Sequence, residues 1–114
     1  MEGFWTVHFQ GVQGWGTGVV TLVGGEIFGG DEGYIYMGTY AENAGAFSAR
    51  IKVSKHAPGV LNVMGMEEFE LEVKGLELVG ATRQQSLHIE GRIPGSDQRL
   101  TGVLTKQRDL PARK

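Results

Sequence analysis

The acidic pairs Asp31–Glu32 and Glu67–Glu68 come nearest, by residue type and spacing, to the groups that carry out acid–base catalysis. Two neighbouring carboxyl groups can divide the acid and base roles when partial burial raises the pKa of one of them. Both pairs flank glycines or strand ends, where solvated turn residues are expected. The sequence therefore predicts no catalytic residue, and we expect that this protein is not an enzyme.

Other reactive patterns are equally weak. Gly14–Gly18, GWGTG, is similar to a phosphate-binding loop, but such a loop needs a helix N-terminus after it, and here a β-branched run follows. His8, His56 and His88 have no neighbour at metal-ligand spacing. The chain has no cysteine, which favours a reducing compartment. We expect no metal, no cofactor and a cytoplasmic location.

The charge distribution argues against direct nucleic-acid binding. The net charge is −2, and because residues 106–114 carry +3, residues 1–105 carry −5. An acidic body repels phosphate groups. The opening MEGFWTVHF lacks the basic region and long apolar core of a signal peptide, and no stretch approaches the ~20 apolar residues of a membrane span. We therefore expect neither a nucleic acid nor a membrane as partner.

Alternation of apolar and polar residues is the main structural signal. In Gly45–Ser54, every second residue is apolar and forms one face of a strand, and the other face carries Arg50 and Lys52. Glu68–Lys74 repeats the pattern, with glutamates on the polar face. Antiparallel pairing of these two strands would place opposite charges across from each other. Weaker β patterns cover Trp5–Phe9, Gly16–Val23, Glu26–Phe28, Tyr34–Tyr40, Leu87–Ile93 and Arg99–Lys106. Gly24–Gly25 is predicted to form a two-residue hairpin turn.

About eight short strands, 19 glycines in 114 residues and no convincing helix predict an all-β fold. We expect an antiparallel eight-stranded barrel of the calycin or lipocalin type, with at most one short helical turn, in the connection His56–Met66. The barrel domain is predicted over 1–107, followed by a basic, mobile tail over 108–114. The region 76–86 gives no clear strand boundaries.

Aromatic and aliphatic residues on the inward faces would either fill the barrel or line a small ligand cavity. Both arrangements use the same residue types. The predicted interior residues are Trp5, Val7, Phe9, Tyr36, Phe47, Ile51 and Leu71.

Three segments resemble the GrlR-like proteins, small bacterial negative regulators of type III secretion and their relatives. They are GGDEGYIYMGTY at Gly29–Tyr40, the opening FWTVHFQ, and the connection KHAPGVLNV. The resemblance covers Gly3 to about Val73. It implies a calycin-like barrel, a homodimer, and regulation through a protein partner, which in secretion control is a helix-turn-helix transcriptional activator.

The resemblance also implies where the partner binds. The family carries four consecutive acidic residues in the loop after the GGD strand, and here that loop is Glu42-Asn43-Ala44-Gly45, in which only Glu42 is acidic. We therefore predict partner contacts in the exposed loops around Asp31, Glu32, Glu42 and Asn43. The alternative function is a small apolar ligand carrier or sensor that uses the barrel interior.

Overall fold

The computed structural model of the chain describes residues 1–11, 14–58, 67–78 and 84–111. These residues form a closed barrel in which each strand pairs antiparallel with the next and β8 closes the barrel against β1. The eight strands are β1 (Gly3–Gly11), β2 (Gly14–Val23), β3 (Glu26–Gly30), β4 (Tyr34–Asn43), β5 (Ala46–Lys55), β6 (Glu68–Leu78), β7 (Ser86–Arg92) and β8 (Arg99–Arg108). The predicted all-β, eight-stranded antiparallel barrel is confirmed, and it is consistent with a calycin or lipocalin type.

The strand boundaries refine several predictions. Within the region 76–86 that the sequence left undecided, β6 continues to Leu78 and β7 begins at Ser86, whereas residues 84 and 85 are not strand and 79–83 lie outside the described residues. β8 ends at Arg108, one residue past the predicted domain boundary. The helical turn predicted within His56–Met66 lies largely outside the described residues, which stop at Pro58 and resume at Glu67.

Inward-facing side chains form one core. Trp5, Leu22 and Leu87 are completely buried, and the Trp5 indole Nε1–H donates a hydrogen bond to the Met1 carbonyl at 2.9 Å. Phe9 and Ile51 are partly buried against this core. The alternation that predicts these faces therefore also predicts the packing.

Glycines allow close approach where the barrel is tight. Gly24 and Gly25 have φ of 58° and 84°, and they form the predicted two-residue turn between β2 and β3. At Gly38 a Cβ would lie 1.9 Å from the Arg50 carbonyl oxygen, so a side chain there would force β4 and β5 apart.

Candidate functional site

The barrel interior contains a small apolar cavity. Its volume is about 80 Å³, and six of the seven predicted interior residues line it: Val7, Phe9, Tyr36, Phe47, Ile51 and Leu71. Trp5 is the exception: it is completely buried but does not line the cavity. An apolar cavity of roughly 150 Å³ holds one benzene molecule, and sites for drug-sized ligands begin at about 300 Å³. The interior is therefore mostly filled by its own side chains.

Asp31 lines this cavity, and its carboxylate accepts hydrogen bonds from residues just after it in the chain. Its Oδ1 accepts hydrogen bonds from the N–H groups of Gly33, at 2.9 Å, and Tyr34, at 2.8 Å, and its Oδ2 accepts one from the Tyr36 hydroxyl. The residue is half-buried rather than the solvated turn residue that the sequence suggests. Asp31 therefore closes the β3–β4 turn and fixes Tyr36 inside the barrel.

The environment of Tyr36 keeps its phenol protonated. Burial is the largest cause, followed by the hydrogen bond to Asp31 and the negative charge of that carboxylate, and together they raise the pKa of Tyr36 far above its ordinary value. A proton held this firmly serves the hydrogen bond and is not available for transfer near neutral pH.

The remaining candidate catalytic and metal-binding groups are separated. His56 is bound to the β3–β4 turn. Its backbone N–H donates to the Gly33 carbonyl at 2.8 Å, and its ring Nε2 lies 3.1 Å from the Asp31 carbonyl oxygen. Glu67 and Glu68 form ion pairs with Lys55, at 3.5 Å, and Lys52, at 2.8 Å. Within the described residues, no three His, Asp or Glu side chains come together as metal ligands.

The two loops predicted to contact a partner lie at opposite ends of the barrel. Glu32 is in the turn before β4, whereas Glu42 and Asn43 are the last two residues of β4, and all three are exposed. β4 has 10 residues, which at ~3.3 Å per residue separates its ends by about 30 Å. We call the end of the barrel that carries Glu32 the Asp31 end, and the end that carries Glu42 and Asn43 the Ala44 end. A single small contact surface cannot include both loops.

At the Ala44 end, residues of four strands, most of them outward-facing, line a shallow groove of about 570 Å³. The register places Asn43, Ala46, Leu76 and His88 in one row across β4, β5, β6 and β7. The small Ala46 side chain lowers the floor of the groove between its neighbours. We call this the Ala44-end groove; its lining residues are Ala41, Asn43, Ala46, Phe47, Ser48, Lys74, Gly75, Leu76, Leu78, His88 and Glu90.

Two leucines in this groove face solvent. Leu76 is 67% exposed and Leu78 is 48% exposed, and both lie on the outer side of β6 where it extends past the β4–β5 turn. Neighbouring exposed apolar side chains with a polar rim are typical of a protein-binding site. Sequence analysis missed these leucines because they lie in the region whose strand boundaries it left open.

A second acidic group at the Ala44 end also escaped the sequence analysis. The Glu77 N–H donates to the Gly45 carbonyl at 2.9 Å, which places β6 directly beside the β4–β5 turn. Ala44 in this turn has a φ of 51°, a conformation that non-glycine residues rarely adopt. Glu77 therefore adds an acidic residue beside the β4–β5 turn.

The outer face of β5, β6 and β7 carries the predicted ladder of opposite charges. Arg50 pairs with Glu72 at 3.6 Å, Lys52 with Glu68 at 2.8 Å, and Arg92 with Glu72 at 3.7 Å. Exposed pairs of this kind contribute about 0.2–1 kcal/mol each. Their clearer effect is on register, because a one-residue slip would point these charges inward.

Comparison of the sequence with models of known protein families finds no match, and comparison with curated proteins also finds none. The resemblance to the GrlR-like proteins therefore stays a prediction. No helix in the described part of the chain is long or apolar enough to cross a membrane.

Proposed function

We propose that this protein is a non-catalytic bacterial regulator that binds a protein partner at the Ala44-end groove. The observation that carries this proposal is the exposure of Leu76 and Leu78 beside a floor of small side chains. Apolar anchors that enter a partner's pocket supply most of the affinity at such sites, while the polar rim sets orientation. Asn43 belongs to that rim, and Glu42 precedes it at the end of β4.

The charge near the groove favours a basic partner. Glu90 lines the groove, in which Lys74 is the one Lys or Arg among the lining residues, and Glu42 and Glu77 lie at the same end of the barrel. Negative potential raises the rate at which a basic surface encounters the site, and salt weakens this effect within about 10 Å. A cytoplasmic transcriptional regulator, the partner class that the GrlR-like resemblance implies, carries such a basic surface in its DNA-binding region.

A second candidate function is the binding of a small apolar ligand in the barrel. The apolar lining of the interior cavity favours it, and the volume of about 80 Å³ limits the ligand to a few heavy atoms. Native mass spectrometry of gently purified protein tests this alternative. A bound mass that disappears in an Ile51→Trp variant, which fills the cavity, would support ligand binding, whereas the bare mass of the chain would count against it.

Affinity capture from a lysate of the source organism tests the main proposal. Three immobilised proteins are compared by quantitative mass spectrometry: the wild type, a Leu76→Ser, Leu78→Ser variant, and a Glu70→Ser control. Glu70 lies on the outer face of the same strand but outside the groove. All three changes are at exposed positions, so each variant should fold.

We expect one or a few proteins to be retained by the wild type and the control and lost, by about tenfold or more, with the leucine variant. Glu42→Lys should weaken the same proteins, and most strongly at low salt. Equal retention of every protein by all three baits would show that the groove is not the binding site.

A further inference from the structure

Strand β2 has an unpaired edge at the Asp31 end of the barrel. It pairs with β1 from Gly14 to Leu22, but its pairing with β3 begins only at Val19, opposite Gly30. The segment Gly14–Gly18 therefore has a neighbouring strand on one side and none on the other. At ~3.3 Å per residue, this edge is about 16 Å long.

The Asp31 turn is the reason that β3 does not cover this edge. β3 ends at Gly30, and the Asp31 carboxylate then accepts hydrogen bonds from the two backbone N–H groups that close the turn. The chain returns as β4, which pairs with β3 and not with β2. A groove of about 970 Å³ is lined both by Trp15–Gly18 of the open edge and by Asp31 and Glu32 of the turn. We call it the β2-edge groove.

The backbone groups of two residues point toward the open side of β2. Residues in an antiparallel strand form hydrogen bonds alternately with the neighbour on one side and the neighbour on the other. The two-residue turn at Gly24–Gly25 makes Val23 and Glu26 a hydrogen-bonded pair. Counting back from Val23 in steps of two, Thr17 and Trp15 direct their N–H and C=O groups to the β3 side. Among the described residues, no turn or loop hydrogen bond uses these four groups.

This edge lacks the usual protection against an added strand. Proteins commonly block open edges with charged side chains, proline or a bulge. Gly14–Gly18 has the sequence GWGTG, with no charge and no proline, and its register with β1 is unbroken. The backbone groups of the edge are therefore accessible to another extended chain.

We propose that the β2-edge groove binds an extended peptide rich in Arg or Lys, which adds a strand antiparallel to β2 along the line that β3 would have followed. In this mode of recognition, backbone hydrogen bonds supply affinity and alternate side chains supply specificity. The proposal goes beyond the proposed function, because the β2-edge groove and the Ala44-end groove have no lining residue in common.

The side chains of the groove favour a basic peptide. Trp15 is 69% exposed, and its indole stacks on the His8 ring with 5.5 Å between ring centroids and an angle of 9° between planes. An exposed indole held in this way attracts a guanidinium or ammonium group to its face. Asp31 and Glu32 also line the groove, whereas no Lys or Arg is among its lining residues. A cationic side chain opposite Trp15 would therefore meet both an aromatic face and a negative potential.

A second copy of this chain fits the groove less well than a basic peptide. Its own edge would be the obvious strand to pair with, yet residues 7–18, which form this end of β1 and β2, contain no Lys or Arg. Pairing of two such edges would leave Asp31 and Glu32 of each copy without an opposite charge.

NMR titration of ¹⁵N-labelled protein with synthetic peptides tests the proposal. The probes are blocked peptides of about six residues in which Arg and Val alternate, and they differ only in the position of N-methyl groups. A residue opposite Trp15 or Thr17 turns its side chain outward and its N–H toward β2, so in this geometry the Arg residues donate to the edge. One probe is methylated on the Arg amides, which blocks these bonds, and the matched control is methylated on the Val amides, which face solvent.

The protein variants separate the edge from the rest of the surface. Thr17→Pro removes an N–H that the barrel itself does not use, a change that an edge strand accepts. Trp15→Ser removes the aromatic face and keeps the test decisive if Thr17→Pro fails to fold. Leu76→Ser, in the Ala44-end groove, is the control.

We expect the Val-methylated probe to shift the amide signals of Trp15 and Thr17, and the Arg-methylated probe to bind at least tenfold more weakly. Each hydrogen bond contributes about 0.5–1.5 kcal/mol, and about 1.4 kcal/mol is a tenfold change in affinity. Thr17→Pro and Trp15→Ser should weaken binding by a similar factor, and Leu76→Ser should not change it.

Four results would each overturn the proposal. They are the absence of binding up to about 1 mM probe, equal binding of both methylated probes, signal shifts confined to the Ala44 end, and equal binding of a probe with Glu in place of Arg. Shifts of the Trp15 and Thr17 signals with protein concentration alone would also overturn it, because a second copy would then occupy the edge. The lysate capture with the Leu76→Ser, Leu78→Ser variant tests the Ala44-end groove separately, so the two proposals can fail independently.

Discussion

Removing the Asp31 carboxylate should destabilise the barrel although the residue lies in an exterior turn. Three hydrogen bonds end on this group: two from backbone N–H groups and one from the Tyr36 hydroxyl. A hydrogen bond to a charged group contributes about 1.5–3 kcal/mol, but water can replace part of each bond at a half-buried site. We therefore expect Asp31→Ala to lower the free energy of unfolding by about 2–4 kcal/mol, a large share of the ~5–15 kcal/mol of a typical domain.

Urea denaturation of a double-mutant cycle measures this effect. Tyr36→Phe removes one donor and should cost about 1–2 kcal/mol, and because both changes break the same bond, the double variant should be less destabilised than the sum by about 1 kcal/mol. Glu32→Ala, at the exposed neighbouring position, should change stability by less than about 0.5 kcal/mol. An Asp31→Ala variant as stable as Glu32→Ala would refute this account of the GGD turn.

Two further predictions concern pH and the barrel wall. Because the pKa of Tyr36 is raised on folding, the folded state binds this proton more tightly, and stability should fall above about pH 10 by roughly 1.4 kcal/mol per pH unit. Urea denaturation between pH 9 and 11.5 should show that the Tyr36→Phe variant loses this part of the decline. Identical slopes of stability against pH for the wild type and the variant would contradict the assignment to Tyr36. Ile51→Asp should destabilise the barrel by about 3 kcal/mol or more, because Ile51 lines the interior cavity. Lys52→Asp changes an exposed ion pair with Glu68 and should cost about 1 kcal/mol or less, so thermal unfolding that shows similar losses for both would mean that the strand faces are misassigned.

The sequence was sufficient to predict the barrel, because burial on one face imposes a period of two on every strand. Gly45–Ser54 and Glu68–Lys74 show that period clearly, and their outer charges predict the pairing of Arg50 with Glu72 that the structure contains. The Gly24–Gly25 turn was equally predictable, since two adjacent glycines leave few alternatives. These features depend on local chemistry, which a sequence displays directly.

The arrangement of the candidate site could not be predicted in the same way. Glu77 adjoins Gly45 only because β6 runs past the β4–β5 turn, and this overhang depends on the register of the whole barrel. Asp31 was expected to be a solvated turn residue, yet the inward direction of Tyr36 brings a hydroxyl to its carboxylate. Both features depend on contacts between distant residues, which periodicity alone does not determine.

Photo-crosslinking in living cells tests the central claim, binding of a protein partner at the Ala44-end groove, most directly. A photoreactive phenylalanine analogue is placed at Leu76 in one variant and at Glu70 in another, so that the same strand presents the probe inside or outside the groove. The account predicts a discrete heavier adduct with a different protein from position 76 and none from position 70. No adduct from position 76, or the same adducts from both positions, would contradict it.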